Sequence, residues 1–385
     1  MTIGSIHART LLLLMINSLF IGGCESTEVH AVDIGTTAEN LDFGLPNDSL
    51  QDAHHPLPDS EVGTWTDPFH LSDLPARGSD TPFWLSQVGL YAEMSSQTFN
   101  PHAKRFKPKY PLWSDGTEKT RWILLPEDGV IDTANMNHWH FPVGTRFFKT
   151  FSRDGQPLET RLIVRTGEGS RDYWMGAFLW NADGSDALFV EDGATNVLGT
   201  DHDVPEVKAC GTCHNGEPGR ALGFNAIQLS HSLDGINLAR LAAEGSLSEP
   251  GVDSIQVPGD TLTSSVLGYL HANCGHCHNP RGSAWPDTDI ELTLDVADQS
   301  PEQTKIYQTT LDVELQYFNA EPNVVRVKPG DPALSAVVLR MRQRGLETQM
   351  PPLATKHIDE DALSLVENWI QALTNTAVST EAPPR

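Results

Sequence analysis

The sequence predicts an α+β chain of two folded domains, the first rich in antiparallel β-structure and the second mostly helical. Short strand-like segments fill the chain up to about residue 200, whereas helical apolar stripes begin at about residue 259. The pattern C-x-x-C-H occurs once in each part, as "CGTCH" and "CGHCH". The predicted ranges are a leader at 1–24, an acidic linker at 25–64, the first domain at 65–258, the second at 259–374 and a tail at 375–385.

The N-terminal segment has the features of an export signal. The apolar run "TLLLLMINSLFIGGC" follows Arg9 and is too short to span a bilayer. Its ending, "IGGC", resembles the lipobox of bacterial lipoproteins, which implies lipidation of Cys24 and a lipid anchor on the periplasmic side of a bacterial membrane. The alternative is an ordinary signal peptide that is cut nearby and leaves a free thiol. Residues 25–62 carry many acids and no Lys or Arg, which predicts a disordered tether.

The charge of the chain restricts its partners. Lys and Arg together number 26 against 51 Asp and Glu, so the formal net charge is −25. Such a charge does not favour nucleic acid, and the sequence has no P-loop or dinucleotide-binding fingerprint. A protein partner attracted over long range should present a basic docking surface.

The first predicted domain is assigned from short segments rich in β-branched and aromatic residues. These segments are "TRWILLP", "TRFFKTF", "ETRLIVRT" and "WMGAFLW", with the turn signals "EDG", "RDG" and "ADG" between them or soon after. No helical pattern of similar strength interrupts the series. An antiparallel sheet is therefore expected.

The second predicted domain is assigned from three helical segments. The middle one has Asp331 as its N-cap, Pro332 at its first position and Gly345 as its stop signal, and the last has an acidic first turn at 359–361. The apolar stripes are Leu262, Val266 and Leu270 in the first helix, and Leu363, Val366, Ile370 and Leu373 in the last. Residues 290–330 separate these helices and are expected to form a β insert of strands and turns.

The two C-x-x-C-H motifs carry the chemistry. Two thiols at this spacing can each add across one vinyl group of a haem, and the following histidine can then bind the iron, which is the pattern of c-type haem attachment. The motif residues are Cys210, Cys213 and His214 in the first copy, and Cys274, Cys277 and His278 in the second. Two covalently bound haem c groups are therefore expected. The alternatives are zinc sites built from the same side chains, or redox-active thiol pairs, which need no trailing histidine.

The second motif lies in a familiar arrangement. A helix leads into the motif, "QMPPL" follows, and a C-terminal helix contains "NWI". This order resembles class I cytochrome c over residues 260–374. The resemblance implies that Met350 is the second axial ligand of the haem at His278. Met341 is the rival methionine, but it lies inside the predicted middle helix.

The surroundings of the first motif are less ordinary. From "YPLWSDGTEKTRW" through "CGTCH" to the helical part, the chain resembles a family of exported bacterial dihaem c-type cytochromes, and related modules accompany quinoprotein dehydrogenases. A weaker likeness is to cytochrome P460, in which a lysine of a similar "FPDGT" segment crosslinks to the haem. Here "FPVGTRFFKTF" offers Lys149, for which the alternative is a solvent-facing strand lysine. The candidates for the sixth ligand of the first haem are His138, His140, Met175, His202 and His231.

Together these features favour single-electron transfer. We expect an exported, lipid-anchored dihaem cytochrome that passes electrons from a periplasmic dehydrogenase, of the quinoprotein type, to a downstream acceptor. The first alternative is a haem enzyme, either a P460-like oxidase or a peroxidase, with an open first haem and the second haem as relay. A sensor of gases or redox state is the remaining alternative.

Overall fold

The structure is a computed structural model that describes residues 67–251, 254–316, 318 and 323–373. The described residues belong to one compact unit, residues 57–385. The predictions for the leader with Cys24, for the acidic linker and for the tail lie outside the described residues. Among the residues that the structure describes, no helix has the length and apolar character needed to cross a bilayer.

A six-stranded antiparallel sheet dominates the first half, as predicted. Its strands are β3 (Lys104–Arg105), β4 (Glu118–Leu124), β5 (Arg146–Arg153), β6 (Gln156–Arg165), β7 (Tyr173–Trp180) and β8 (Ala187–Phe189), while β1 (Tyr91–Glu93) and β2 (Thr98–Phe99) form a separate hairpin. The six strands lie side by side in chain order. Two residues join β5 to β6, whereas residues 125–145 form a long connection between β4 and β5.

Both faces of this sheet are covered. Trp122, Phe148 and Phe178 point to one face and pack in a hydrophobic cluster with residues between 69 and 90. Ile123 and Phe147 follow the alternation of the strands to the opposite face and join a larger cluster that includes the C-terminal helices. Polar side chains on this second face therefore lie between the sheet and the rest of the protein.

Seven helices lie in the described part of the chain. They are α1 (Cys210–His214), α2 (Ala226–Leu229), α3 (Leu238–Ala243), α4 (Thr261–Asn273), α5 (Lys305–Thr310), α6 (Ala336–Met341) and α7 (Glu360–Ala372). Short 3₁₀ turns lie at Leu71–Asp73, Leu85–Val88, Val197–Gly199, Val207–Ala209, Pro301–Gln303 and Pro332–Leu334. The helix predicted before the second motif is confirmed as α4, which begins after the N-cap Asp260 and ends just before Cys274. The last predicted helix is confirmed as α7, with Asp359 as its N-cap.

The predicted middle helix is interrupted. Asp331 caps only the 3₁₀ turn Pro332–Leu334, and Ser335 has an extended backbone before α6 begins. The interruption has a tertiary cause, because the backbone of Val325 hydrogen bonds with Leu334 and Ala336 on either side of Ser335. The helix also ends at Met341, four residues before Gly345.

The predicted β insert is wrong for the described residues between 290 and 330. They contain the helix α5 and no strand, only isolated bridges such as Leu311 to Val327. The Thr304 side chain accepts a hydrogen bond from the Tyr307 backbone, which satisfies a free donor at the start of α5 and favours a helix there. The apolar residues that suggested strands are buried or half-buried in the larger cluster, which explains their pattern without a sheet.

The helical part packs directly on the sheet part. The larger hydrophobic cluster runs from the sheet to α4 and α7 without a break. Gly268 of α4 lies so close to Tyr110 that a Cβ atom at this position would be 2.2 Å from its ring. The side chain of Asn273 accepts a hydrogen bond from the Trp113 backbone at 2.7 Å. The predicted boundary at residue 258 stays a prediction, and these contacts hold the second motif against the first half of the chain.

Candidate functional site

The two C-x-x-C-H motifs lie against each other. The Sγ atoms of Cys213 and Cys277 and a ring nitrogen of His276 all lie within 4.8 Å of one another. A Cβ atom added to Gly216 would be only 1.9 Å from the carbonyl oxygen of His276, so the two backbones are in contact there. The sequence places the motifs in different predicted domains and contains no signal for this contact.

The first motif holds its histidine in a fixed orientation. Nδ1 of His214 lies 2.6 Å from the carbonyl oxygen of Arg220. Because a carbonyl oxygen can only accept, Nδ1 carries the hydrogen, and Nε2 keeps its lone pair. Burial lowers the pKa of His214 to about 3, and the charge of Lys149 adds to the effect, so the ring is neutral. A neutral imidazole held at one nitrogen by a carbonyl is the usual arrangement of a metal-ligating histidine.

The second motif buries a histidine without a hydrogen bond. Nδ1 of His278 is enclosed and has no partner among the residues that the structure describes. Burial lowers the pKa of His278 to about 4, with a smaller contribution from Arg340, so this ring is also neutral. A buried polar atom without a partner calls for an explanation, and a ligand at the ring is one.

The loop with Met350 lies beside the same arginine. The backbone N–H of Met350 donates to the Arg340 carbonyl at 3.0 Å, and the Arg340 charge acts on His278. Met341 packs in the hydrophobic core with 8% of its surface exposed. Ligation by Met350 stays a prediction, and the environment of Met341 gives that residue a packing role.

A pocket opens between the first motif and the sheet. Cys210 and His214 line it on one side, and Met175 of β7 lines it on the other. The rest of the lining is mostly apolar and includes Phe106, Phe147, Leu162, Ile163, Ala177, Ala221 and Leu222. The enclosed space is about 50 Å³, so the pocket is a small, mostly apolar gap beside a neutral histidine.

Three cations cross the sheet at this pocket. Lys149 in the centre of β5 is paired with Arg121 of β4 and with Arg161 of β6. All three line the pocket, so the alternative of a solvent-facing strand lysine does not describe Lys149. Burial lowers the pKa of Lys149 to about 7, with further contributions from Arg121 and Arg161. The crosslinking role suggested for Lys149 stays a prediction.

One of these cations has a buried anion beside it. Glu159 is completely buried, and its carboxylate accepts hydrogen bonds from Arg161 at 2.6 and 3.0 Å. The same carboxylate lies 2.8 Å from Nε2 of His202. Glu159 therefore neutralises the end of the cation row at β6 and fixes the position of Arg161.

The five residues predicted as candidates for a sixth haem ligand lie in different surroundings. Met175 lines the pocket with His214, and the four histidines do not. His202 is bound to Glu159, and both ring nitrogens of His231 are engaged by backbone groups. Nε2 of His138 lies 2.7 Å from Arg281. His140 is exposed.

A second and larger cavity of about 400 Å³ adjoins the first pocket. It extends from the sheet to the second motif, and Arg121 and Lys149 line both spaces. His276 and Glu217 also line it, and burial raises the pKa of Glu217 to about 7.

The sequence analysis did not identify Arg121, Glu217 and His276 as residues of the site. The one available signal concerns Arg121, because "EKTRW" has cations at alternate positions, Lys119 and Arg121, which places both on one face of the strand.

The donor chemistry of the site fits a haem at each motif. Each copy offers two thiols and one neutral histidine, and the first pocket combines apolar walls with cations at one side. Comparisons with protein-family models, curated proteins and solved structures return no match to this chain. Its function is therefore inferred from the site alone.

Proposed function

We propose that this protein binds two haems covalently through its C-x-x-C-H motifs and transfers single electrons. The observation that carries the proposal is the contact between the motifs, in which Cys213 and Cys277 lie within 4.8 Å of each other. Attachment points so close together would suit the passage of an electron between two groups. A bound haem would supply the one-electron redox chemistry.

The residues of the chain would bind and orient these groups. The carbonyl of Arg220 keeps the His214 ring in one tautomer, with Nε2 available to a metal. The apolar side chains of the first pocket would exclude water from that side of the ring. His278 and Met350 would hold the group at the second motif, where no backbone carbonyl among the described residues fixes the tautomer of the His278 ring.

The leader sequence and the net charge of the chain extend the proposal to its location and its partner. We infer export, a lipid anchor at Cys24 and a periplasmic position on a bacterial membrane from the sequence of the leader. The donor would be a periplasmic dehydrogenase of the quinoprotein type. Because the chain has a net charge of −25, the docking surface of the partner is expected to be basic.

The proposal is tested by measuring the haem content of the purified full-length protein. A pyridine haemochrome assay should give two haems per chain, and acid–acetone extraction should remove neither. The double variants Cys210→Ala/Cys213→Ala and Cys274→Ala/Cys277→Ala should each keep one covalent haem. A wild-type protein with no covalent haem would refute the proposal.

A metal site is the second candidate, because Cys213, His276 and Cys277 offer two sulfurs and one nitrogen to a single ion. A hydrogen bond with the Cys213 thiol lowers the pKa of Cys277, which favours the thiolate form that metals bind. The two candidates exclude each other at these sulfurs, since a thioether to haem consumes the thiolate. Zinc at one equivalent per chain without covalent haem would support the metal site.

A haem enzyme with an open first site is favoured by a different observation. The cavity of about 400 Å³ beside the first motif could admit a small substrate, and its lining residues Lys149 and Glu217 both have a pKa of about 7. Carbon monoxide binding distinguishes the alternatives, because it requires a free position on the iron. Rapid binding to the reduced native protein would favour the enzyme over simple electron transfer.

A further inference from the structure

Three basic side chains lie in a row across β4, β5 and β6, and only one carboxylate among the described residues is bound to them. Arg121, Lys149 and Arg161 occupy paired positions on neighbouring strands, whose backbones are about 5 Å apart in such a ladder. Like charges at directly opposed positions destabilise a sheet. Burial adds to this cost, because a charged group loses its hydration when it is enclosed.

The only carboxylate that the structure shows bound to this row acts at one end. Glu159 takes two hydrogen bonds from Arg161 and a third contact from His202. The side chains of Arg121 and Lys149 make no hydrogen bond and no ion pair with any residue in the described ranges. Lys149 has one ring contact, with its Nζ atom 5.8 Å from the centre of Phe151. The Arg121 guanidinium is thus left without an anion among these residues, and so is Lys149 when it is protonated.

Other buried arginines in the described residues have hydrogen-bond or ion-pair partners, so the lack of a partner is particular to Arg121. Arg146 is paired with Asp67 and also donates to the carbonyl of Val88 at 3.0 Å. Arg165 donates to two backbone carbonyls, and Arg326 is paired with Asp289. Arg121 is only 5% exposed, and its side chain lies at the wall shared by the two cavities.

We propose that Arg121 and Lys149 form a binding site for an anion, which enters the space between the sheet and the first motif. A guanidinium donates two parallel hydrogen bonds to a carboxylate or another oxyanion, and an ammonium contributes a compact charge beside it. Two sources share this chemistry. One is a carboxylate of the haem attached at Cys210 and Cys213, which rests on the proposed function, and the other is a small free oxyanion from solution.

The sign of a stability change tests the site. If no anion binds, Arg121→Met removes a buried unpaired charge, Lys149→Met removes an amine that has no anionic partner, and Tm should stay equal or rise. If an anion binds, each substitution removes a charge-assisted contact, and Tm should fall by roughly 5 °C in the purified full-length protein. Lys208→Met is the matched control, because this lysine is exposed and should change Tm by less than roughly 2 °C.

The source of the anion is found with two further measurements. For a free oxyanion, sodium sulfate or sodium acetate should raise the Tm of the wild type at constant ionic strength, and the binding constant should fall at least roughly tenfold in both Met variants. For a haem carboxylate, these salts should have no specific effect, and the midpoint potential of one haem should change in the variants. Lys149→Arg keeps the charge and should retain most of the wild-type behaviour in either case.

The Tm and salt measurements test the anion site, whereas the haem assay tests the proposed function, so either can fail without the other. An equal or higher Tm in both Met variants overturns the anion site, even if the haemochrome assay finds two haems. A lower Tm with neither a salt effect nor a change of potential also overturns it, because the side chains then act only in packing. Sulfate or acetate binding that requires Arg121 and Lys149, in a protein without haem, would support the site while refuting the dihaem proposal.

Discussion

At the scale of single residues, Glu159 is the charge that stabilises the interior of the sheet. Its carboxylate is fully buried between Arg161 and His202. Burial raises the pKa of Glu159, but the charge and hydrogen bonds of Arg161 and His202 outweigh that effect, so the net shift is downward. The ionised carboxylate therefore contributes to stability above the pKa of the unfolded chain, and the contribution decreases as the pH falls through the folded pKa.

Glu159→Gln should lower the free energy of unfolding by about 3 kcal/mol at pH 7, because Arg161 loses its buried anion. Urea unfolding at pH 7 and at lower pH measures the effect. The difference from wild type should shrink as the pH falls, since the wild-type carboxylate becomes protonated. Glu206→Gln is the control, because Glu206 forms an exposed pair with Lys208 and should change stability by less than about 1 kcal/mol. Equal effects of the two substitutions would contradict the role of Glu159.

Met350→Ala should lower the midpoint potential of one haem, because a thioether ligand favours ferrous iron. The long-wavelength absorption band typical of methionine ligation should disappear with it. Met341→Leu is the matched control, since Met341 is a core residue and leucine preserves most of its volume. If Met350→Ala leaves both signals in place, Met350 is not a haem ligand.

At the scale of elements, helix α4 is positioned by its cap and by close packing. The Asp260 side chain accepts a hydrogen bond from the Thr263 backbone at 2.8 Å. Val266 and Leu270 point into the core, and Gly268 allows the helix to approach Tyr110. The second motif follows this helix immediately, so the stability of α4 bears directly on the position of Cys274.

Asp260→Ala should lower the free energy of unfolding by about 1 kcal/mol, because it removes the N-cap of α4. Asp260→Asn should change it much less, since asparagine is an equally good N-cap. Hydrogen bonds with Thr263 lower the pKa of Asp260, so the wild type should lose this advantage over the Ala variant as the pH falls below about 4. Urea unfolding curves measure all three values, and equal stability of the Ala and Asn variants would exclude capping as the cause.

At the scale of the whole molecule, two sets of contacts join the sheet to the C-terminal helices. The first is the continuous hydrophobic cluster that includes Phe147 of the sheet and Val366 of α7. The second is polar and is centred on Asp201, which pairs with Arg153 of β5 and with His357 just before α7. Hydrogen bonds with His357 and Arg153 lower the pKa of Asp201 to about 2.

We expect the described part of the chain to unfold as one cooperative unit. Val366→Ala should lower the free energy of unfolding by about 2 kcal/mol and move a single calorimetric transition to lower temperature. Leu346→Ala is the control, because that side chain is 57% exposed. Two transitions, of which only one moves in Val366→Ala, would show instead two independent domains with the predicted boundary near residue 258.

The sequence by itself determined the antiparallel sheet, the helices α4 and α7 and the residues of the two motifs. These features depend on alternation along a strand, on a capping residue such as Asp260, or on neighbours in the chain. Only the tertiary structure decided the break at Ser335, the helix at 305–310, the position of Met175 in the same pocket as His214 and the contact of Cys213 with Cys277. It also placed Arg121 beside Lys149. Each of these features depends on groups distant in sequence, whose pairing is set by how the sheet and helices pack.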